Sequence, residues 1–315
     1  MNSRRAKRLL PLIALLFVYS FTQTLAQQNT LQNTGSRLFN ISVVDEGGKP
    51  YAGLKPEDFA AWVNDSPRKI LAVNTDSTPV SVGLLLDTSG SMPAVNKKAG
   101  EEFAQRLSDE IFRLLEISNA ENDYFVSQFD KKLAQTEWWT GTDTSVISKL
   151  EPPGNFNGTA LFDALYLGIQ HVMKGRHSRR AILIISDGTD NGSKRTKKET
   201  IELIKKSDVT IYAIAIRRRE QKSEWVAEEG VNLLEDLAKV SGGHTVRLSS
   251  ESKPEVVTET FDTIAANLRQ QYRLSVETDN VTGPEKWHKL KLKLSLPKEN
   301  GRPKLYLQSR QGYYQ

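Results

Sequence analysis

Apolar and polar positions alternate with two different periods along this chain, and the change of period divides it. Phe39, Ile41 and Val43 alternate with Asn40 and Ser42, the period of two expected of a half-buried strand. Turn signals follow at Glu46-Gly47-Gly48-Lys49-Pro50 and Asn64-Asp65-Ser66-Pro67. They frame a short turn or helical piece at 56–59 and precede a further strand at 69–73. The same period returns after Gln271, where Tyr272, Leu274 and Val276 alternate. Leu290, Leu292, Leu294 and Leu296 then alternate with Lys289, Lys291 and Lys293. Those lysines predict a solvated strand face that discourages edge pairing; a polyanion-binding strip is the second reading.

Between these ends the texture is different. Val80 to Leu86 is almost wholly apolar, as in a strand buried on both faces, and it ends in Asp87-Thr88-Ser89-Gly90-Ser91. Phe103, Leu107, Ile111, Leu114 and Leu115 are spaced for an amphipathic helix over 94–117. Further strands are expected at 123–129, 181–185, 209–216 and 244–248. Helices are expected at 145–150, 159–173, 197–206, 233–240 and 254–271. This alternation predicts an α/β fold with a doubly wound, mainly parallel sheet and right-handed crossovers. Each β-rich end is too short for a core of its own. Residues 37–75 and 272–315 are therefore expected to pair into one small β-sandwich-like domain, with the α/β domain, 78–271, inserted between them.

The amino terminus is read apart from the fold. Arg4, Arg5, Lys7 and Arg8 precede an apolar block from Leu9 to Phe21, and Thr24-Leu25-Ala26 offers a small-residue cleavage site. Residues 1–26 thus predict a secretory signal peptide, with an uncleaved anchor as the other reading. Residues 27–36 are polar and read as a flexible leader. The protein is accordingly expected to be exported, periplasmic or secreted, with no later membrane span. Four of the five net positive charges lie in that amino-terminal head, so the basic balance does not argue for nucleic acid. With no cysteine, stability has to come from an ordinary core.

Candidate chemistry gathers at strand ends. Asp87, Ser89 and Ser91 follow the first buried strand. Thr159 opens a helix after Asn157-Gly158, and Asp187 ends the strand at 181–185. Each has a plain alternative: a Ser/Gly turn, a helix N-cap, a turn aspartate. Together they offer three hydroxyls and two carboxylates, an oxygen-only set suited to Mg²⁺ and unsuited to zinc. Lys194, Arg195, Lys197 and Lys198 either rim that site or form a solvated loop and helix start. Asp163 and Asp190 are assigned helix and turn roles. Trp138 and Trp139 read as a contact patch or, for at least one of them, as core. His171, His177, His244 and His288 are scattered and suggest no dyad.

Taken together, Asp87-x-Ser89-x-Ser91, Thr159 and Asp187 resemble the metal-ion-dependent adhesion site of von Willebrand factor type A domains. The resemblance covers roughly residues 80–268. It includes Gly158-Thr159-Ala160-Leu161-Phe162-Asp163-Ala164-Leu165 and Ile184-Ile185-Ser186-Asp187-Gly188-Thr189-Asp190-Asn191, and the whole layout is similar to exported bacterial proteins of this class. It implies that Ser89, Ser91 and Thr159 bind Mg²⁺ (or Mn²⁺ or Ca²⁺), with Asp87 and Asp187 acting directly or through water. It also implies a protein partner whose Asp or Glu carboxylate completes the ion's shell, and no enzymatic activity. Two other readings stand beside it. One is a scaffold with a purely stabilising metal. The other is a metal-dependent hydrolase; haloacid dehalogenase-like chemistry resembles Asp-x-Asp, and Ser89 occupies the acid/base position.

Overall fold

A computed structural model describes residues 34–92, 98–135, 137–140, 158–217, 224–279, 284–297 and 302–315. The expected signal peptide, most of the leader and the helix expected at 145–150 lie outside the described residues. The chain opens with β1 (Thr34–Val44), a 3-10 turn (Pro56–Asp58), β2 (Phe59–Val63), β3 (Ser66–Arg68) and β4 (Ile70–Asp76). A central block follows, beginning with β5 (Val80–Asp87), α1 (Lys98–Ile117), β6 (Asp123–Phe129), β7 (Leu133–Gln135) and β8 (Trp139–Thr140). It continues through α2 (Leu161–Val172), β9 (Arg179–Ser186), α3 (Lys197–Lys206), β10 (Val209–Arg217), α4 (Glu224–Ser241), β11 (Thr245–Ser249) and α5 (Pro254–Arg269). Last come β12 (Gln271–Asp279), β13 (Trp287–Leu294), β14 (Tyr306–Gln308) and β15 (Gly312–Tyr314).

The central sheet has the order β11-β10-β9-β5-β6-β7. Its first five strands run parallel, while β7 and β8 turn back antiparallel on β6. The apolar runs of β5, β9 and β10 are buried because both faces are covered. On one face, Phe103, Leu107 and Leu114 of α1 and Phe261 and Ile264 of α5 pack on Val82, Leu84 and Leu183. On the other, Leu161, Leu165 and Ile169 of α2, Ile204 of α3 and Leu234 of α4 pack on Leu85, Ile184 and Ala213. From β5 the chain steps to β6 on one side and then crosses to β9 on the other. That reversal opens a crevice at the carboxyl ends of β5 and β9, which is where Asp87 and Asp187 lie.

The strands outside this block form two further sheets, β14-β1-β12-β4 and β15-β13-β2-β3. Each mixes strands from both ends of the chain. β1 pairs antiparallel with β12 from Thr34↔Asp279 to Ile41↔Tyr272, so Thr34, Gly35 and Ser36 are strand where a leader was expected. The two sheets enclose Phe39, Ile41, Phe59, Val63, Tyr272, Leu274, Leu290 and Tyr313. The helix expected at 233–240 begins nine residues earlier, at Glu224; Gly230 inside it hides the periodicity. Trp139 is buried in the core, and Trp138 stacks on the His171 ring at 5.2 Å. The lysine-bearing β13 lies between β15 and β2, but β15 pairs with it only over Trp287–Lys289, so Lys289 is on an inner stretch while Lys291 and Lys293 lie where β2 is the paired neighbour.

Arg179 fastens the block to the outer sheets. Its guanidinium, 2% exposed, donates to the carbonyl of Thr78 between β4 and β5 and, at 2.8 Å, to that of Leu268 near the end of α5. Both passages between the two parts of the chain are thereby held by one side chain. Asp76, paired with Arg273 at 2.9 Å, supplies nearby negative charge. Arg179→Met leaves two carbonyls without their donor, and each such loss costs about 1–3 kcal/mol when buried. Urea denaturation of this variant is expected to show a loss of stability of about 2–4 kcal/mol.

Candidate metal centre

At the end of β5 the last strand residue, Asp87, is buried, and both carboxylate oxygens are engaged. Oδ1 accepts the Ser89 backbone N–H at 2.9 Å, and Oδ2 accepts the Ser186 hydroxyl at 2.6 Å. Ser186 in turn accepts the Gly188 N–H at 3.0 Å. Burial pushes the Asp87 carboxyl up from 3.8 to about 6, against the pull of its hydrogen bonds from Ser186 and Ser89, and the neighbouring Asp187 adds to the rise. Ser89 and Ser91 stand with their hydroxyl oxygens 2.8 Å apart, two residues on from each other in the tight turn after the strand. The Thr88 N–H donates to the Phe129 carbonyl at 2.8 Å, tying this turn to the end of β6.

Asp187 follows β9. Its Oδ1 accepts the Thr189 N–H at 2.9 Å, the turn role expected of it. Its Oδ2 is buried and has no hydrogen-bond partner. Thr159 does not cap its helix: the residue flanking α2 is Ala160, and no side-chain capping bond forms there. Thr159 is instead held through its backbone. Its N–H donates to Asn191 Oδ1 at 2.8 Å, and its carbonyl accepts the N–H groups of Asn191 and Gly192 at 3.0 and 2.9 Å. The Ala160 N–H donates to the Asp130 carbonyl at 2.7 Å. The segments after β5, β6 and β9 and the start of α2 are thus one hydrogen-bonded cluster. Asp87, Ser89, Ser91 and Asp187 are linked in it through Ser186 and its neighbours, and Thr159 joins through the loop that carries Asp187.

The cluster contains residues that periodicity and motif spacing overlooked. Ser186, Asn191 and Asp130 hold the site, and Gly230 lets it form. Gly188 adopts φ +77°, and a Cβ there would sit 2.1 Å from the Gly230 carbonyl oxygen; a Cβ on Gly230 would sit 2.2 Å from that of Asp187. The Asp187 loop and α4 therefore touch backbone to backbone, which only glycine permits. A glycine inside a helical pattern was the available signal. Asp190 and Asp163 have structural work: Asp190 Oδ1 accepts Phe162 N–H at 3.3 Å and Ser193 Oγ–H at 2.5 Å. Asp163 accepts the Lys194 and Arg195 N–H groups at 3.0 and 2.8 Å.

Charge around the cluster is uneven. A cleft of about 620 Å³ lined by Gly188, Thr189 and Gly230 also carries Asp190, Glu228, Glu229 and Asp236. Lys197, one of the possible rim residues, is paired with Asp236 across it at 2.8 Å. A second cleft, of about 360 Å³, is bordered by Lys131, Lys132, Lys194 and Arg195. Lys131 comes close to the cluster, since a Cβ on Gly158 would meet its Cε at 2.6 Å.

The donor set fits a hard cation. It is oxygen throughout, and a buried carboxylate oxygen without a partner is costly unless something neutralises it. Among the described residues no three His, Cys, Asp or Glu come together as metal ligands, so hydroxyls and the two aspartates are the available oxygens. A serine, an aspartate and a histidine do meet at the opposite end of the sheet. There Ser81 donates to Asp123 at 2.6 Å and accepts the His177 backbone N–H at 2.9 Å, while His177 Nε2 faces the Glu121 carbonyl at 2.9 Å. The imidazole is not aimed at the hydroxyl, so this is a turn clamp.

Residues 81–261 match the von Willebrand factor type A domain family. Among solved structures, proximal thread matrix protein 1 from the mussel byssus is 15% identical, with a TM-score of 0.51 over 66% of this chain and 51% of that one. The present chain thus spans about half the length of that mussel protein, and the likeness is one of fold. A von Willebrand factor type A protein from Catenulispora acidiphila is 12% identical over 89% of this chain and 73% of that one, with a TM-score of 0.47. The pilus adhesin SpaC from Lactobacillus rhamnosus GG is 10% identical over 89% and 48%, also with a TM-score of 0.47. No curated protein matches the sequence.

The raised Asp87 carboxyl sets a pH dependence. Its folded value, about 6, exceeds the unfolded 3.8, so the folded state holds this proton more tightly. The contribution to stability is full below about pH 4 and is lost as pH rises through 6, about 3 kcal/mol in all. Chemical denaturation in chelator is expected to show wild type losing about that much relative to Asp87→Asn between pH 4 and 8. A difference that stays flat over this range would show that Asp87 is not desolvated.

Proposed function

The chain belongs to the von Willebrand factor type A domain family through residues 81–261, and from that premise we propose that it is an exported interaction module. Asp87, Ser89, Ser91, Thr159 and Asp187 hold a divalent cation, Mg²⁺ first, with Mn²⁺ or Ca²⁺ as substitutes. The observation that carries this reading is the buried, unpartnered Oδ2 of Asp187 beside a second buried carboxylate and a pair of hydroxyls. When bound, the cation supplies a Lewis-acidic position for a partner's Asp or Glu carboxylate. Few charged ligands and several neutral hydroxyls leave that position electrophilic.

The protein's own residues do the rest. Ser186 and the Ser89 N–H fix the Asp87 carboxylate, and Thr189 fixes one oxygen of Asp187 so that the other is free to bind. Asn191 positions Thr159. The cleft bordered by Lys131, Lys132, Lys194 and Arg195 favours an acidic partner on that flank, whereas Glu228, Glu229 and Asp236 disfavour one on the other. We read the centre as a binding site and not a catalytic one, because Ser89 occupies the place where phosphoryl-transfer chemistry of the Asp-x-Asp type needs a second carboxylate. Residues 1–26 are proposed as the export signal. Among the described residues no helix is long and apolar enough to cross a membrane.

Calorimetric titration of Mg²⁺ into the chain lacking residues 1–26 tests the centre. Ser186→Ala, which releases Asp87 without removing a ligand, is expected to weaken the metal by about 10–100-fold, and Asp87→Ala to abolish binding. A pull-down from the native exported fraction then tests the function. Capture is expected in Mg²⁺ and not in chelator; capture unchanged by chelator would favour the stabilising scaffold. For the domain division we propose 78–271 inserted between 37–75 and 272–315. Limited digestion is expected to release the α/β block and leave the two β-rich ends associated; independent folding of either end would refute the division.

A further inference from the structure

The outer face of the sheet β15-β13-β2-β3 is cationic and aromatic at once. Leu290 and Leu292 of β13 point into the core, so Lys289, Lys291 and Lys293 project from the opposite face, each exposed. Two residues apart on one strand, they stand about 6.8 Å from each other. Trp62 of β2 is paired with Lys291 on that same face, and its ring lies 5.9 Å from both the Lys291 and the Lys293 ammonium. Further along, Trp287 is paired with Tyr314, their rings 5.2 Å apart. α3 extends the strip: Lys205 lies 5.2 Å from the Trp287 ring and Lys206 5.4 Å from that of Tyr314. Among the described residues three carboxylates lie against it, one being Glu285, whose charge acts on the Tyr314 hydroxyl. Asp65 is 3.6 Å from Lys289 with its side chain 75% exposed, and Glu202 is bound by Lys205 and Tyr314.

Protection of a sheet edge accounts for only part of this arrangement, because Lys289 is flanked by Gly312 of β15 and by Asn64, and guarding an edge does not call for an indole between Lys291 and Lys293. Stacking three lysines on one face also costs repulsion, which a bound polyanion relieves. We propose that this face is a second binding site, independent of the strand-end centre, and that its ligand is an acidic polysaccharide. The apolar face of a sugar ring stacks on the Trp62 indole, and the anionic ring substituents reach Lys289, Lys291 and Lys293. Single-stranded nucleic acid can also stack on aromatics of an open sheet face; the polysaccharide is preferred on the export proposed above, on which this choice of ligand rests, and the oligonucleotide is an outcome of the test. A bilayer surface draws in an apolar helix face or protruding apolar side chains; Trp62 is half-buried between lysine stems.

The probe is polygalacturonate, titrated into the full chain at low and at 0.3 M salt, with neutral amylose, a thymidine oligonucleotide and anionic phosphatidylglycerol vesicles as comparisons. Polygalacturonate is expected to bind in chelator as well as in Mg²⁺ and to weaken strongly in salt. Replacing Lys289, Lys291 and Lys293 together by Gln is expected to reduce its affinity about tenfold or more. Trp62→Ala is expected to weaken it also, and Trp62→Phe to restore most of the loss. The lysines are exposed, so the triple variant is expected to melt like wild type. Unchanged affinity in that variant, absence of polygalacturonate binding, or tighter binding of the oligonucleotide or the vesicles would each overturn the proposal.

Discussion

A carboxylate taken out of water at the end of the central strand is the constraint around which the carboxyl edge of this sheet is arranged. Burying Asp87 is unfavourable for its charged form, and the surroundings offset that cost with a hydroxyl from β9 and a backbone N–H from the turn that follows. The Ser186 hydroxyl joins β5 to β9 at the edge, and through Gly188 it also sets the loop that carries Asp187. Two acidic groups are thus brought together at a desolvated position. Such an arrangement is poorly stable alone, and it leaves one oxygen of Asp187 buried without a partner, the feature on which the proposed cation site rests.

Backbone contact gives this edge its rigidity. Gly188 and Gly230 allow α4 to meet the Asp187 loop at a distance no side chain would tolerate. Asn191 bonds Thr159 across two loops. Neither contact involves a candidate side chain's own oxygen, yet each removes freedom from the backbone that carries Asp187 or Thr159. Preorganisation of this kind would matter most for the proposed cation site, whose hydroxyls each have a small affinity for a cation. At the far end of the block Arg179 holds both chain passages, and Arg310, Tyr314 and Gln271 add bonds from the outer strands to Ser207, Glu202 and Tyr212 of the block.

The alternation of strand and helix, the buried run ending at Asp87 and the period-two β ends were all legible in the residues. Local patterns reveal them because burial on one face or two imposes a period on the chain. The start of α4 was not legible, since Gly230 breaks the helical pattern for a reason that lies on another segment. Nor was the position of β13: a lysine-leucine alternation reads alike on an inner strand and on an edge, and strand order is not a local property. Thr159 illustrates the intermediate case. Its residue type suggested both a cap and a ligand, and the structure removes the first, since the residue flanking α2 is Ala160 and no side-chain capping bond forms there.

Sequence by itself determined the fold class and the family, because these depend on spacing within single segments, and it singled out five oxygen-bearing residues at strand ends and at one helix start. Tertiary structure alone decided that Ser186 holds Asp87, that Asp187 keeps one oxygen unpartnered, and that Trp62 lies among the lysines of a strand more than two hundred residues away. Those are relations between segments. They depend on sheet register and on which backbones come close enough to touch, and no pattern within one segment records them.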